Sequence, residues 1–176
     1  VQLTRAQRSV VLQLASGATA SLVAVAGAYF YLPFSVPSPA SPGDRVAFAL
    51  RWDAVAALAL VLGVLRIVRE RFTSPERLDG SPPTPGERRF EIDRRYLQNT
   101  LEQFVLAVIA HAALAAQLTG DALRLVPILA TWFLLARIAY LAGYHRDPLA
   151  RGFGWAATWL PTLAILLCDV YGVIAT

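Results

Sequence analysis

Five long apolar stretches divide the chain, at 10–32, 46–68, 97–118, 123–144 and 153–175. Each is close to the roughly 20 residues that a helix rising 1.5 Å per residue needs to cross about 30 Å of hydrocarbon. The segments between them carry the helix breakers and most of the charge. Residues 33–42 hold Pro33, Pro37, Pro39 and Pro42, which cannot continue a helix and predict a stiff connector. A second breaker-rich stretch, 80–86, splits the loop between the second and third spans. The alternating charges of Glu87 to Arg95 then predict a third helix that begins before it enters the membrane. Thr119, Gly120 and Asp121 leave room only for a tight turn, so the third and fourth spans are expected to be antiparallel neighbours. The pattern predicts an all-α integral membrane protein in the lipid bilayer, with five spans and no separate soluble domain.

Composition agrees: 56% of residues are hydrophobic and 16% charged, too apolar a balance for an ordinary soluble domain. Arg5 and Arg8 precede the first apolar run, as in a secretory signal. A run of 23 residues (10–32) is long for a signal core, and a retained helix is expected. The net charge of +4 comes from arginines, sixteen of them with no lysine. They gather in the amino-terminal tail, in the loop between spans two and three, and at Arg146 and Arg151; Arg45, Arg51 and Arg124 lie on the opposite side. By the positive-inside rule the amino terminus is expected in the cytoplasm and the carboxyl terminus across the membrane. These arginines are spread over loops with no recognition motif, so nucleic acid is not an expected partner.

Within this apolar frame several polar residues stand where lipid-facing helices have none. At 1.5 Å per residue, Asn99 lies roughly 5 Å and Glu102 roughly 9 Å into the third span, while Tyr140 and Arg137 of the fourth lie about 6 and 10 Å from the same surface. Arg95, Asn99 and Glu102 fall within about 60° of one another around their helix, and Arg137, Tyr140 and Tyr144 form one stripe on theirs. A charge at the centre of a bilayer costs on the order of 2.5–3.5 kcal/mol on insertion scales, so such residues mark a site or a partner. Two readings follow. Glu102 and Arg137 can pair to hold the two helices together. Alternatively, guanidinium groups, a carboxamide, a carboxylate and two phenols suit a small zwitterion bearing more than one carboxylate.

The spacing Arg95-x3-Asn99-x2-Glu102 after a basic, proline-containing loop, followed by Arg137-x2-Tyr140-x3-Tyr144-x6-Arg151, resembles the MAPEG family of membrane glutathione transferases and eicosanoid-forming enzymes. The resemblance covers about residues 50 to 175. The closing stretch, Arg151-Gly-Phe-Gly-Trp155 through Pro161 to Asp169-Val-Tyr171, looks most like the family's five-helix, mattrin-type branch. It implies a four-helix transmembrane bundle over 46–176, preceded by an additional transmembrane helix and proline-rich connector over 1–45, and assembly as a homotrimer. It further implies glutathione as co-substrate, held by Arg95, Asn99, Glu102, Arg137, Tyr140 and Tyr144, with Arg151 beside the thiol as the catalytic residue. Which of Arg66, Arg69 and Arg71 adds a contact is left open.

A guanidinium beside a thiol favours the thiolate, which is the nucleophile. The implied reaction is therefore transfer to a small hydrophobic acceptor, or reduction of a lipid hydroperoxide. Gln103 stands where several eicosanoid-forming members have tyrosine, and the mattrin-type branch is not typified by transferase activity. A non-catalytic interaction or regulatory role on the same scaffold is the alternative.

Other candidates have plainer readings. His111 lies roughly 22 Å along the third span and about 160° from Arg95, so it is expected to face away from the pocket and serve packing or an interhelical hydrogen bond. Asp169 could pair with it or reach the interface. No clustered metal ligands are present in the sequence, and no metal is expected. Cys168 is single and expected to pack. Trp52, Trp132, Trp155 and Trp159 read as interface anchors, with Trp132 also suited to the core. Gly17, Ser21, Ala24 and Ala28 give the first helix a small-residue stripe for close contact; packing on the outside of the bundle is expected, and shielding of the pocket's lipid-facing entrance is the sharper reading. The alanine- and arginine-rich composition suggests a bacterial inner membrane.

Overall fold

The computed structural model describes residues 3–37, 39–74, 78–80 and 87–175. Its helices are α1 (Arg5–Tyr31), α2 (Pro42–Thr73), α3 (Arg88–Gln117), α4 (Leu125–Arg146) and α5 (Arg151–Ala175), with a 3-10 turn, Gly120–Arg124, leading into α4. All five are long and apolar enough to span a bilayer, and α3 begins in its charged segment as the sequence suggests. Arg77 and nearly all of the breaker-rich stretch at 80–86 lie outside the described residues.

Local sequence sets the starts of the first two helices. Thr4-Arg-Ala-Gln7 forms a capping box: the Thr4 hydroxyl accepts from the Gln7 amide at 3.2 Å, and the Gln7 side chain accepts from the Thr4 amide at 2.8 Å. Ser41 caps α2 by accepting from the Asp44 amide at 3.1 Å, with Pro42 at the first helical position, where its missing N–H has no partner to lose.

Lipid tails are as apolar as leucine, so burial of large side chains cannot drive these helices together; close packing of small ones can. Ala56 and Ala59 of α2, Ala107 of α3 and Ala130 of α4 form a buried core with Phe133. Phe30, Leu22 and Ile174 stay on the outside, facing hydrocarbon. The most buried helix is α4 and the least buried is α1. Asn99 and Thr100 early in α3 meet Arg137 late in α4, so the two run antiparallel. The α5 helix packs on α4 at Gly154, where a Cβ would lie 2.4 Å from the Tyr140 nitrogen and 2.6 Å from the Ala136 oxygen.

Far from the basic end, Arg45 is buried and serves as a cap rather than a topology signal. Its guanidinium donates to the carbonyls of Ala115 at 3.2 Å, Ala116 at 2.7 Å and Ala40 at 3.2 Å. A cation there complements the negative end of α3 and satisfies carbonyls that have no helical partner.

The first helix docks through a proline on another helix. Pro161 inside α5 has no N–H, which frees the carbonyl of Ala157 one turn earlier. That carbonyl accepts from Trp132 Nε1 at 2.9 Å and lies 2.9 Å from the Ser21 hydroxyl of α1. One turn away, a Cβ on Gly17 would lie 2.4 Å from the Phe153 oxygen, so only glycine permits this approach. Gly17 and Ser21 of the small-residue stripe are buried as expected. Ala24 and Ala28 instead line an apolar groove shared with Trp52 and Trp132. Ser21→Ala leaves Trp132 as donor to the Ala157 carbonyl, and Trp132→Phe leaves the single Ser21 hydroxyl hydrogen, which is also within reach of the Gly17 oxygen at 2.8 Å; each is expected to lower stability by about 1 kcal/mol or less. The double variant strands the carbonyl and should lose about 1–3 kcal/mol beyond the sum. Thermal denaturation in a single detergent measures this, and strictly additive losses would show that the carbonyl finds another donor.

Candidate functional site

At the arginine-rich end of the bundle a cavity of about 520 Å³ opens between α1, α3, α4 and α5, within the ~300–1,000 Å³ usual for small-molecule sites. Its polar wall is one face of α3, where Arg95, Gln98, Asn99 and Glu102 recur at helical spacing. Tyr140 of α4 and Arg151 of α5 complete that wall, while Val10, Leu14, Pro148, Leu149 and Trp155 give an apolar side. Five of the seven expected site residues therefore meet at one cavity.

Arg95 is exposed and pairs with Glu91 at 2.6 Å, with a further donor 3.4 Å from the Tyr144 hydroxyl. Glu102 accepts from Gln98 Nε2 at 2.9 Å. Arg151 is in the first turn of α5, and its guanidinium carbon lies 4.6 Å from the centre of the Tyr144 ring. Gly154 sets this placement, because its close approach to Tyr140 brings the start of α5 down onto α4.

Arg137 and Tyr144 lie behind the cavity wall. Arg137 is 0% exposed and does not line the cavity, although the resemblance implies a place for it in the ligand pocket. It does not pair with Glu102 either. It donates to Thr100 Oγ1 at 2.9 and 3.1 Å, to Asn99 Oδ1 at 3.1 Å and to Thr158 Oγ1 at 3.5 Å. Its guanidinium carbon lies 4.1 Å from the Tyr140 ring centre and 5.7 Å from that of Tyr96. Neutral oxygens and two aromatic faces thus hold a buried cation that has no carboxylate partner among the described residues. Because arginine only donates, the Asn99 oxygen must be the atom facing it, which leaves the carboxamide N–H groups of Asn99 for the cavity. Tyr144, 4% exposed, is the platform beneath Arg151.

Arg66 turns away from the cavity. It donates through Nε to Asp93 Oδ1 at 2.8 Å, and His145 Nε2 sits 2.9 Å from the same oxygen and 3.0 Å from Arg66 Nη2. This cluster ties α2, α3 and α4 together just below the site. Arg71 lines a separate cleft with Arg94 and Arg95. His111 pairs instead with Asp53 of α2, Nδ1 to Oδ1 at 2.6 Å with both side chains buried. That fulfils the expected interhelical role; Asp169 accepts from Gln117 rather than pairing with His111. Cys168 is exposed, not packed, and lies about 25 Å along α5 from Arg151 at 1.5 Å per residue. Trp52 packs against the bundle core, and Trp155 lines the cavity with its ring centre 5.7 Å from that of Trp159, so Trp52 and Trp155 do more than anchor at an interface. Among the described residues no group of three His, Cys, Asp or Glu side chains could hold a metal.

Sequence reasoning missed Gln98, Trp155, Thr100 and Thr158. Helical spacing points to the first two, since Gln98 is one turn before Glu102 and Trp155 one turn after Arg151. No comparable signal singles out the threonines, because their role depends on which way Arg137 turns.

The model of the MAPEG family matches residues 47–171. The chain belongs to the MAPEG family. Transmembrane protein 79 from Mus musculus is 33% identical over 146 residues, and the protein of that name from Bos taurus is equally similar. Each alignment covers 82% of this chain but 36% of the relative, so the chain spans about a third of the length of the relatives it matches. No solved structure matches. Both relatives are mammalian, which lends nothing to the bacterial origin expected from composition. The family match takes in four of the five spans, α2 to α5, and α1 lies ahead of it.

If Arg137 organises the site from behind, Arg137→Lys should lower stability by about 1.5–3 kcal/mol, since an ammonium cannot replace a forked set of charge-assisted bonds. Arg95→Ala, at an exposed position, should stay within about 0.5 kcal/mol. Parallel thermal melts test the contrast, and equal losses would contradict it.

Proposed function

We propose that this protein is a mattrin-like membrane binding protein that retains the MAPEG pocket and holds in it glutathione, or a peptide of equivalent chemistry. The observation that carries the proposal is the convergence of Arg95, Asn99, Glu102, Tyr140 and Arg151 on one cavity. Two guanidinium groups suit the two carboxylates of such a ligand, Glu102 suits its ammonium, and the Asn99 and Gln98 amides suit its peptide groups. The proposed orientation, with the arginine-rich end and the cavity mouth in the cytoplasm, follows the positive-inside rule. Assembly as a homotrimer belongs to the same proposal through the family.

The resemblance to the mattrin-type branch, which is not typified by transferase activity, favours binding or regulation over turnover. Arg151 supports thiol transfer as a second reading, because a fixed guanidinium in the cavity would favour the glutathione thiolate over the thiol. Transfer would then need an electrophilic hydrophobic acceptor approaching from the apolar side: the thiolate forms the carbon–sulfur bond while the acceptor either loses its leaving group as an anion or, at an activated double bond, takes up a proton from water.

Calorimetry of glutathione on detergent-purified protein tests the proposal. Saturable binding is expected, weakened at least about tenfold, or roughly 1.4 kcal/mol, by Arg95→Ala and by Glu102→Gln. Absence of binding by the wild-type protein would overturn it. Ultraviolet thiolate absorbance on binding, lost in Arg151→Ala, would supply the nucleophile that the second reading requires; bound glutathione that stays a thiol would remove that reading.

A further inference from the structure

Residues 5–31 precede the family match, which starts at residue 47, yet this helix supplies part of the cavity. Val10, Leu14, Gly17 and Ser21 follow one another at i, i+4, i+7 and i+11, so a single face of α1 carries all four. The lower part of that face is clamped to α5: Gly17 rests on the backbone at Phe153 and Ala157, and the Ser21 hydroxyl is 2.9 Å from the Ala157 oxygen. Gln13 rests against Gly152, where a Cβ would come within 3.0 Å of the Gln13 Cβ. On the same face, Val10 and Leu14 line the cavity together with the polar residues of α3. Leu149 and Trp155 adjoin them, so the cavity has a charged half and an apolar half.

A free tripeptide would use the charged half and leave the apolar half to lipid or water. We infer that Val10 and Leu14 of α1 select the ligand by forming, with Leu149 and Trp155, the surface for an apolar substituent carried on the sulfur of a glutathione-type peptide. This deepens the proposed function and rests on it. The selecting residues belong to the additional helix, so the preference is set independently of the polar wall. Because α1 is clamped by glycine contact and hydrogen bonds, it acts as a fixed wall with a definite size limit.

The test is calorimetry with glutathione and its S-methyl, S-butyl and S-hexyl thioethers, alongside S-hexylcysteine, which lacks the peptide and its second carboxylate. Each methylene buried against the α1 wall should tighten binding about three- to fourfold. Leu14→Trp, which fills the apolar half, should flatten that series, so that the S-hexyl thioether binds no more than about twofold tighter than the S-methyl one. Val10→Trp, at a position already 38% exposed and tolerant of bulk, should do the same if Leu14→Trp fails to fold. If glutathione binds but affinity does not depend on chain length, or the variants leave the slope unchanged, the inference fails and the proposed function stands. If glutathione is silent while S-hexylcysteine binds and loses affinity in the variants, the glutathione reading fails and the α1 wall stands. Silence from every compound overturns both.

Discussion

Hydrocarbon offers no hydrogen bonds, so each polar group within the bundle must find its partner in the protein. Arg137 is the strictest case. A fully buried guanidinium with five N–H donors has to be surrounded by acceptors, and here they come from two threonines and an asparagine, with two tyrosine rings on its faces. Meeting that demand fixes how α3, α4 and α5 turn toward one another. It also sets the outward face of the site, because Asn99 gives its oxygen to Arg137 and keeps its N–H groups for the cavity. The buried cation thus orders the cavity wall from behind.

The same constraint explains why α1 is part of the molecule's chemistry. Pro161 removes one N–H from α5, and the carbonyl it exposes would be stranded in lipid. Trp132 and Ser21 meet it, and the second of these fastens α1 to the bundle. From that anchor the register of α1 carries Leu14 and Val10 to the cavity. Arg45 at the far end follows the same rule, and the Asp53–His111 pair between α2 and α3 follows it through Asp53 Oδ1, while the buried Asp53 Oδ2 has no hydrogen-bond partner.

What the sequence made legible was periodic or near in the chain. The five apolar runs became five helices, and the i, i+4, i+7 set Arg95, Asn99 and Glu102 became a cavity wall, because helical spacing determines which side chains share a face. What stayed hidden depended on long-range choices. Glu102 and Arg137 have opposite charge and matching depth, which is equally compatible with pairing; only the rotation of α4 turns Arg137 to Thr100 and Thr158 instead. Nothing near Ser21 indicates that its partner is a carbonyl freed by a proline 140 residues later. Asp53 likewise sits in an apolar run with no local sign that His111 awaits it across the bundle. Membership of the MAPEG family explains why the short motifs of α3 and α4 were informative, while α1, outside the family match, showed only a small-residue stripe.

The cavity beside α3 is proposed as a ligand site whose polar wall faces a peptide. An experimental structure determined in lipid with glutathione present tests it most directly. The expected result is density for the peptide between the α3 face and Arg151, with Arg95 on a carboxylate and Arg137 still enclosed by Thr100, Asn99 and Thr158. A cavity filled by a lipid tail, or closed by contact between Arg95, Glu102 and Arg151, would contradict the claim.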